Sequence, residues 1–146
     1  MYKFLHLSTT DQGLLVTSMI VVTWFKLALQ VLPFRTLHRI SVSHRLPNNP
    51  LKATNRRVAK RRIMWAVEIA SRRIPGGATC LTRALAALLM LRWHGYTANL
   101  RIGVMKSGES EVQAHAWIES DQEILAEDLL AISRFTPLRR ARKVTP

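Results

Sequence analysis

At 146 residues, 48% of them apolar, the chain suits one domain with a core of its own. Its single cysteine excludes an internal disulfide and leaves the thiol free for chemistry, as a reducing cytoplasm permits. The formal net charge of +13 favours an anionic partner (nucleic acid, a membrane surface or an acidic peptide), and it is uneven: residues 1–75 carry 13 Lys and Arg against 2 acids, residues 76–146 carry 9 against 7.

Asp11 to Leu32 reads as a helix, with Thr9 or Thr10 as its cap and Pro33 as its end or kink. Its apolar positions run most of the way round, so it needs cover on several sides: the core, a partner protein or lipid. The run from Leu14 to Phe25 is softened by Thr17, Ser18 and Thr23 and stopped by Lys26, short of the ~20 apolar residues of a membrane span. Lys3 is the only early base and no small-residue cleavage site follows, which argues against a signal peptide. A buried or interface-bound helix is the better reading, and it makes a membrane surface one of the expected contacts.

Phe34 to Ile40 adds a helical turn or two, and residues 41–54 form a linker broken by Pro47, Asn48, Asn49 and Pro50. Asn55 to Arg73 is a helix with an apolar stripe of Val58, Ile63, Trp65, Ala66 and Ile69. Its remainder is strongly basic, either a solvated face or a partner-binding one. Pro75-Gly76-Gly77 ends it. A second helix starts at once, with Thr79 at the N-cap and Cys80 at the first helical position. Leu81, Ala84, Leu85, Leu88 and Leu91 bury it along one side, and Gly95 marks its end.

The period then changes to two. Residues 98–105 and 112–119 form an antiparallel hairpin around the turn at 106–110; Ser120 to Glu123 turns again, and Ile124 begins a third strand. Residues 129–138 are irregular or briefly helical, and 139–146 form a basic tail. The division is thus a helical lead-in and linker (1–54), a core (55–138) and the tail, with no internal repeat.

The chemistry gathers in residues 78–128. The thiolate is the reactive form of a cysteine, and the free N–H groups of a helix start can also hold an oxyanion. Cys80 taken alone is more often a buried structural residue. His115 lies on the Gln113/Trp117 face of its strand, opposite Ala114, Ala116 and Ile118; if that Ala/Ile face is core, His115 faces a cleft or another layer. A histidine there can serve a helix-start cysteine as base, and an acid would orient it. If Asp121-Gln122 is a two-residue loop, residue 128 stands opposite residue 115 and Asp128 is the acid; a three-residue loop selects Glu127. Glu119, Asp121 and Glu123 fall toward the hairpin end. His6, His38, His44, His94 and His115 show no ligand spacing, so no metal is expected, and no phosphate-cradling loop points to a cofactor.

Cys80-Leu81-Thr82-Arg83-Ala84-Leu85-Ala86, then His94-Gly95-Tyr96-Thr97-Ala98 and Ile102-Gly103-Val104, then Ala114-His115-Ala116-Trp117-Ile118-Glu119, resemble the transglutaminase-like cysteine peptidases of lasso-peptide biosynthesis. The likeness covers about residues 70–138. It implies an α+β, papain-related, transglutaminase-like fold: N-terminal helices, a small antiparallel sheet, the Cys at a helix N-terminus and the His and acid on neighbouring strands. It implies removal of a precursor's leader peptide in the bacterial cytoplasm, after which an ATP-dependent macrolactam synthetase closes the ring. Cys80 would be nucleophile and His115 base; alignment favours Glu127 as the acid where strand geometry favours Asp128. Too few residues precede residue 14 for a leader-recognition domain, so the stand-alone form is expected, with a separate recognition protein as partner.

Two other readings stand beside this one. A non-catalytic basic scaffold could bind a membrane or a biosynthetic complex; nucleic acid is not expected, since no helix-turn-helix or ribonucleoprotein signature accompanies the bases. Alternatively, the same thioester captured by an amine would make the protein an acyl transferase.

Overall fold

The computed structural model describes residues 8–43, 53–125 and 129–138. Four helices come first: α1 (Thr9–Val31), α2 (Phe34–Ser43), α3 (Ala53–Arg73) and α4 (Cys80–Trp93). The strands β1 (Asn99–Ser107), β2 (Glu111–Ser120) and β3 (Glu123–Leu125) follow, then α5 (Leu129–Ser133) and β4 (Thr136–Pro137). The four strands form one antiparallel sheet in the order β3-β2-β1-β4.

Ser8, not Thr9 or Thr10, caps α1. Both threonines are already helical, and only the Ser8 hydroxyl lies back far enough to accept the Asp11 N–H, at 3.3 Å. The Asp11 carboxylate accepts from Arg62 of α3 and, at 2.9 Å, from the Ser8 hydroxyl, and these hydrogen bonds, Arg62's first and Ser8's second, hold its carboxyl below the usual carboxylate range. Leu15, Ser18, Val21, Val22, Phe25 and Ala28 are the buried residues of α1, spaced three and four apart. They meet α3 and α4; the opposite side of α1 is uncovered.

The inward stripe of α3 is Ile63, Ala66, Val67 and Ala70. Val58 and Trp65, expected in it, lie 55% and 38% exposed, because the helix is rotated to pack on α1 and α4 together. Lys60, expected on the basic outer face, is buried; its ammonium pairs with Asp121 and lies 5.8 Å from the centre of the Tyr96 ring.

Every residue of α4 from Ala84 to Leu91 is buried, where the sequence pattern predicts one buried side. The reason is position: α1, α2 and α3 pack on one side of α4 and the sheet on the other. It closes with Gly95 at a φ of 81°, the Gly95 N–H donating to the Arg92 carbonyl and the Tyr96 N–H to that of Leu91.

In the β1–β2 ladder Leu100 faces Ile118, Ile102 faces Ala116 and Gly103 faces His115. Leu100, Ile102, Ala116 and Ile118 join the α4 core. The alternate face carries Gly103, His115 and Trp117, covered by Phe135. The β2–β3 loop has two residues, Asp121 and Gln122, with φ of 50° and 65°, the geometry of a type I′ turn. Asp121 is of a type that enters the left-handed region readily, and its carboxylate accepts from Lys60 and from the Thr97 hydroxyl.

Candidate active site

The loop before α4 turns through Gly76 and Gly77, both at positive φ (76° and 66°), a conformation glycine takes without a Cβ penalty. Lys26 of α1 fastens it: the ammonium donates to the carbonyls of Pro75, at 2.6 Å, and Gly77, at 2.7 Å. The base that interrupts the apolar run of α1 thus anchors the start of α4. Thr79 then caps the helix, its hydroxyl accepting from the Thr82 N–H at 3.2 Å. Cys80 is the first residue of α4, half-buried and with a free thiol. The first-turn N–H groups around it have no partner within the helix.

Cys80 and His115 line the same cavity, of about 850 Å³, bounded by α3, the start of α4, β2, β3 and α5. His115 is half-buried, its ring 5.3 Å from that of Phe135 and 6.4 Å from that of Trp117, centre to centre. Among the described residues no hydrogen bond joins the thiol to the imidazole, and none reaches the imidazole from elsewhere. Catalytic hydrogen bonds often form fully only once substrate is bound. Burial first, and the Arg83 charge second, hold the His115 pKa below the ordinary value of 6.5.

Glu127 and Asp128 lie outside the described residues. The β2–β3 loop has two residues, and the pairing described ends at Ile118 and Leu125. The other three candidate acids are each held by a base, Glu123 at the cavity wall. Glu119 accepts from Arg101 at 2.8 Å, Asp121 is held by Lys60 and Thr97, and Glu123 lies 3.4 Å from Arg57.

Sequence reasoning missed Glu68. This carboxylate lines the cavity and takes both oxygens to Arg83, at 3.0 and 2.8 Å, with Arg72 on one of them at 2.9 Å. Its signal was its isolation: it is the lone acid of α3, set among seven bases. Trp117 is 4% exposed, and among the described residues its Nε1 finds no acceptor. Among the described residues no three His, Cys, Asp or Glu side chains gather closely enough to hold a metal ion.

The Arg83 contribution is open to test by proton NMR. In the wild type the His115 ring protons titrate below pH 6.5. Arg83→Gln removes a positive neighbour, which favours the imidazolium, so the midpoint moves up. An unchanged midpoint would show that Arg83 does not act on His115.

A profile of the transglutaminase-like superfamily matches residues 19–140. No curated protein and no solved structure matches the chain. The profile runs from the middle of α1 through the helix of Cys80 and the strand of His115 to β4, and on that extent the chain belongs to the transglutaminase-like superfamily.

Proposed function

We propose that the protein is a cysteine peptidase that removes the leader peptide from a lasso-peptide precursor before the macrolactam is closed. The observation that carries the reading is one cavity lined by the thiol at the start of α4 and the imidazole on β2, in a chain of the transglutaminase-like superfamily. The resemblance of the Cys80, His94-Gly95, Ile102-Gly103-Val104 and His115 segments to the leader peptidases supplies the substrate class.

In this reading His115 takes the Cys80 proton as the sulfur bonds to the scissile carbonyl carbon. The oxyanion that forms is held by first-turn N–H groups of α4. The intermediate collapses, the C–N bond breaks, and His115 returns the proton to the departing amine. Water, deprotonated by His115, then cleaves the thioester and restores the thiol. Glu127 or Asp128 orients the imidazole. The precursor arrives with a separate leader-recognition protein, and its freed amine passes to an ATP-dependent macrolactam synthetase. Synthesis of the precursor and retention of a reduced thiol both belong to the cytoplasm.

The test is mass spectrometry of a cognate precursor incubated with the protein and its recognition partner, with Cys80→Ala beside it. A leader fragment and a free core peptide, made by wild type alone, are expected. A core or leader joined to an added amine would make the protein an acyl transferase. An intact precursor bound to a folded protein would leave a scaffold.

A further inference from the structure

The outer face of α1 carries Val16, Ile20, Trp24, Leu27 and Val31, exposed by 58, 65, 44, 59 and 83%. Their spacing of four, four, three and four sets them in one stripe, about 22 Å long at 1.5 Å per residue. A contiguous exposed apolar surface of this kind marks a contact. Thr17 and Thr23 beside it add no free donor, because their hydroxyls already donate to the Gly13 and Met19 carbonyls.

By length and composition α1 is able to cross a bilayer. The fold forbids it: Val22 and Phe25 on the inner face are fully buried in the core, and Lys26 is tied to the loop before Cys80. What the fold leaves free is the outer stripe, lying flat at an interface. The charge around it has one sign. Arg35 and Arg39 follow the stripe directly, one helical turn apart on α2, exposed and without an ion pair among the described residues. Asp11, the one acid of α1 and α2, is bound to Arg62. A second copy of this +13 chain would bring like charges together, whereas an anionic lipid surface matches both the stripe and the bases.

We propose that the outer face of α1 docks on an anionic membrane, with α1 in the interfacial plane, Trp24 amid the stripe and Arg35 and Arg39 at the headgroup phosphates. The surface is distinct from the Cys80 cavity, so Cys80→Ala leaves the docking unchanged.

Flotation of the full chain with vesicles tests this, comparing phosphatidylcholine alone with mixtures containing phosphatidylglycerol. The wild type should float with the anionic vesicles. Arg35→Gln with Arg39→Gln should weaken partition roughly 30-fold, at about fivefold per base near the surface. Ile20→Gln with Leu27→Gln, at exposed positions that leave the core untouched, should release the protein while its thermal melt is unchanged. Wild type that stays in the supernatant with anionic vesicles overturns the proposal, as does undiminished binding by the Ile20/Leu27 pair. So does a wild-type dimer in light scattering that the same pair turns into a monomer without lipid binding, since the occupant is then a second copy.

Discussion

If the proposed peptidase reading holds, Cys80→Ala should lower precursor cleavage by about 10⁴-fold or more and keep the wild-type fold. The substitution removes one half-buried sulfur at the edge of a cavity, while α4 retains its Thr79 cap and the buried run from Ala84 to Leu91. Unfolding would therefore be the wrong explanation of the loss, and the circular dichroism melt checks it. His115→Ala should cost nearly as much. The double variant should be no worse than the poorer single, because a nucleophile without its base and a base without its nucleophile are equally idle. Alkylation gives a second readout that needs no precursor. Near neutral pH iodoacetamide should label Cys80 in wild type and do so more slowly in His115→Ala, since the thiolate is the species that reacts. Two single losses that add in the double variant would mean that the pair does not act as a unit. Equal labelling in wild type and His115→Ala would mean that the imidazole does not take the thiol proton.

The parts of this site that a reader finds in the sequence are the ones set by neighbours along the chain. Thr79 before Cys80, Gly95 after His94 and the Asp121-Gln122 turn each follow from the backbone demands of a few consecutive residues, and each stands in the structure. The alternation that separates His115 from Ala116 and Ile118 is equally local. What the sequence hid is tertiary. Lys26 reads as a blemish in an apolar helix until the carbonyls of Pro75 and Gly77 are brought beside it. Lys60 reads as one base among many until Asp121 and Tyr96 close over it. Glu68 stands out only as the lone acid of α3 until α4 delivers Arg83. The wholly apolar look of α1 has the opposite origin, since only one of its faces is spent on the core.

Gly103→Val should destabilise the protein by about 2 kcal/mol and lower its melting midpoint by roughly 4–8 °C. Gly103 lies in the middle of β1, directly across from His115. A Cβ there would come within 2.7 and 2.8 Å of the Trp117 ring and 3.0 Å of the Phe135 Cβ. The indole has nowhere to go, being 4% exposed, so the strand or the Phe135 segment must shift. Overpacking of this kind costs about 1–3 kcal/mol, and the further methyls of valine put the gross cost at the upper end. The better strand propensity of valine offsets up to about 1 kcal/mol of it. The damage reaches the cavity, because the two rings that crowd Gly103 are those flanking the His115 imidazole. Cleavage should therefore fall further than the lost stability alone explains. Trp117→Leu combined with Gly103→Val should recover part of both losses, giving a non-additive cycle between residues in contact. A Gly103→Val protein as stable and active as wild type would show the sheet face to be looser than the geometry says. The glycine of the Ile102-Gly103-Val104 segment and the tryptophan of the His115-Ala116-Trp117 segment are thus one packing requirement: the ring that flanks the imidazole lies over the one strand position with no side chain.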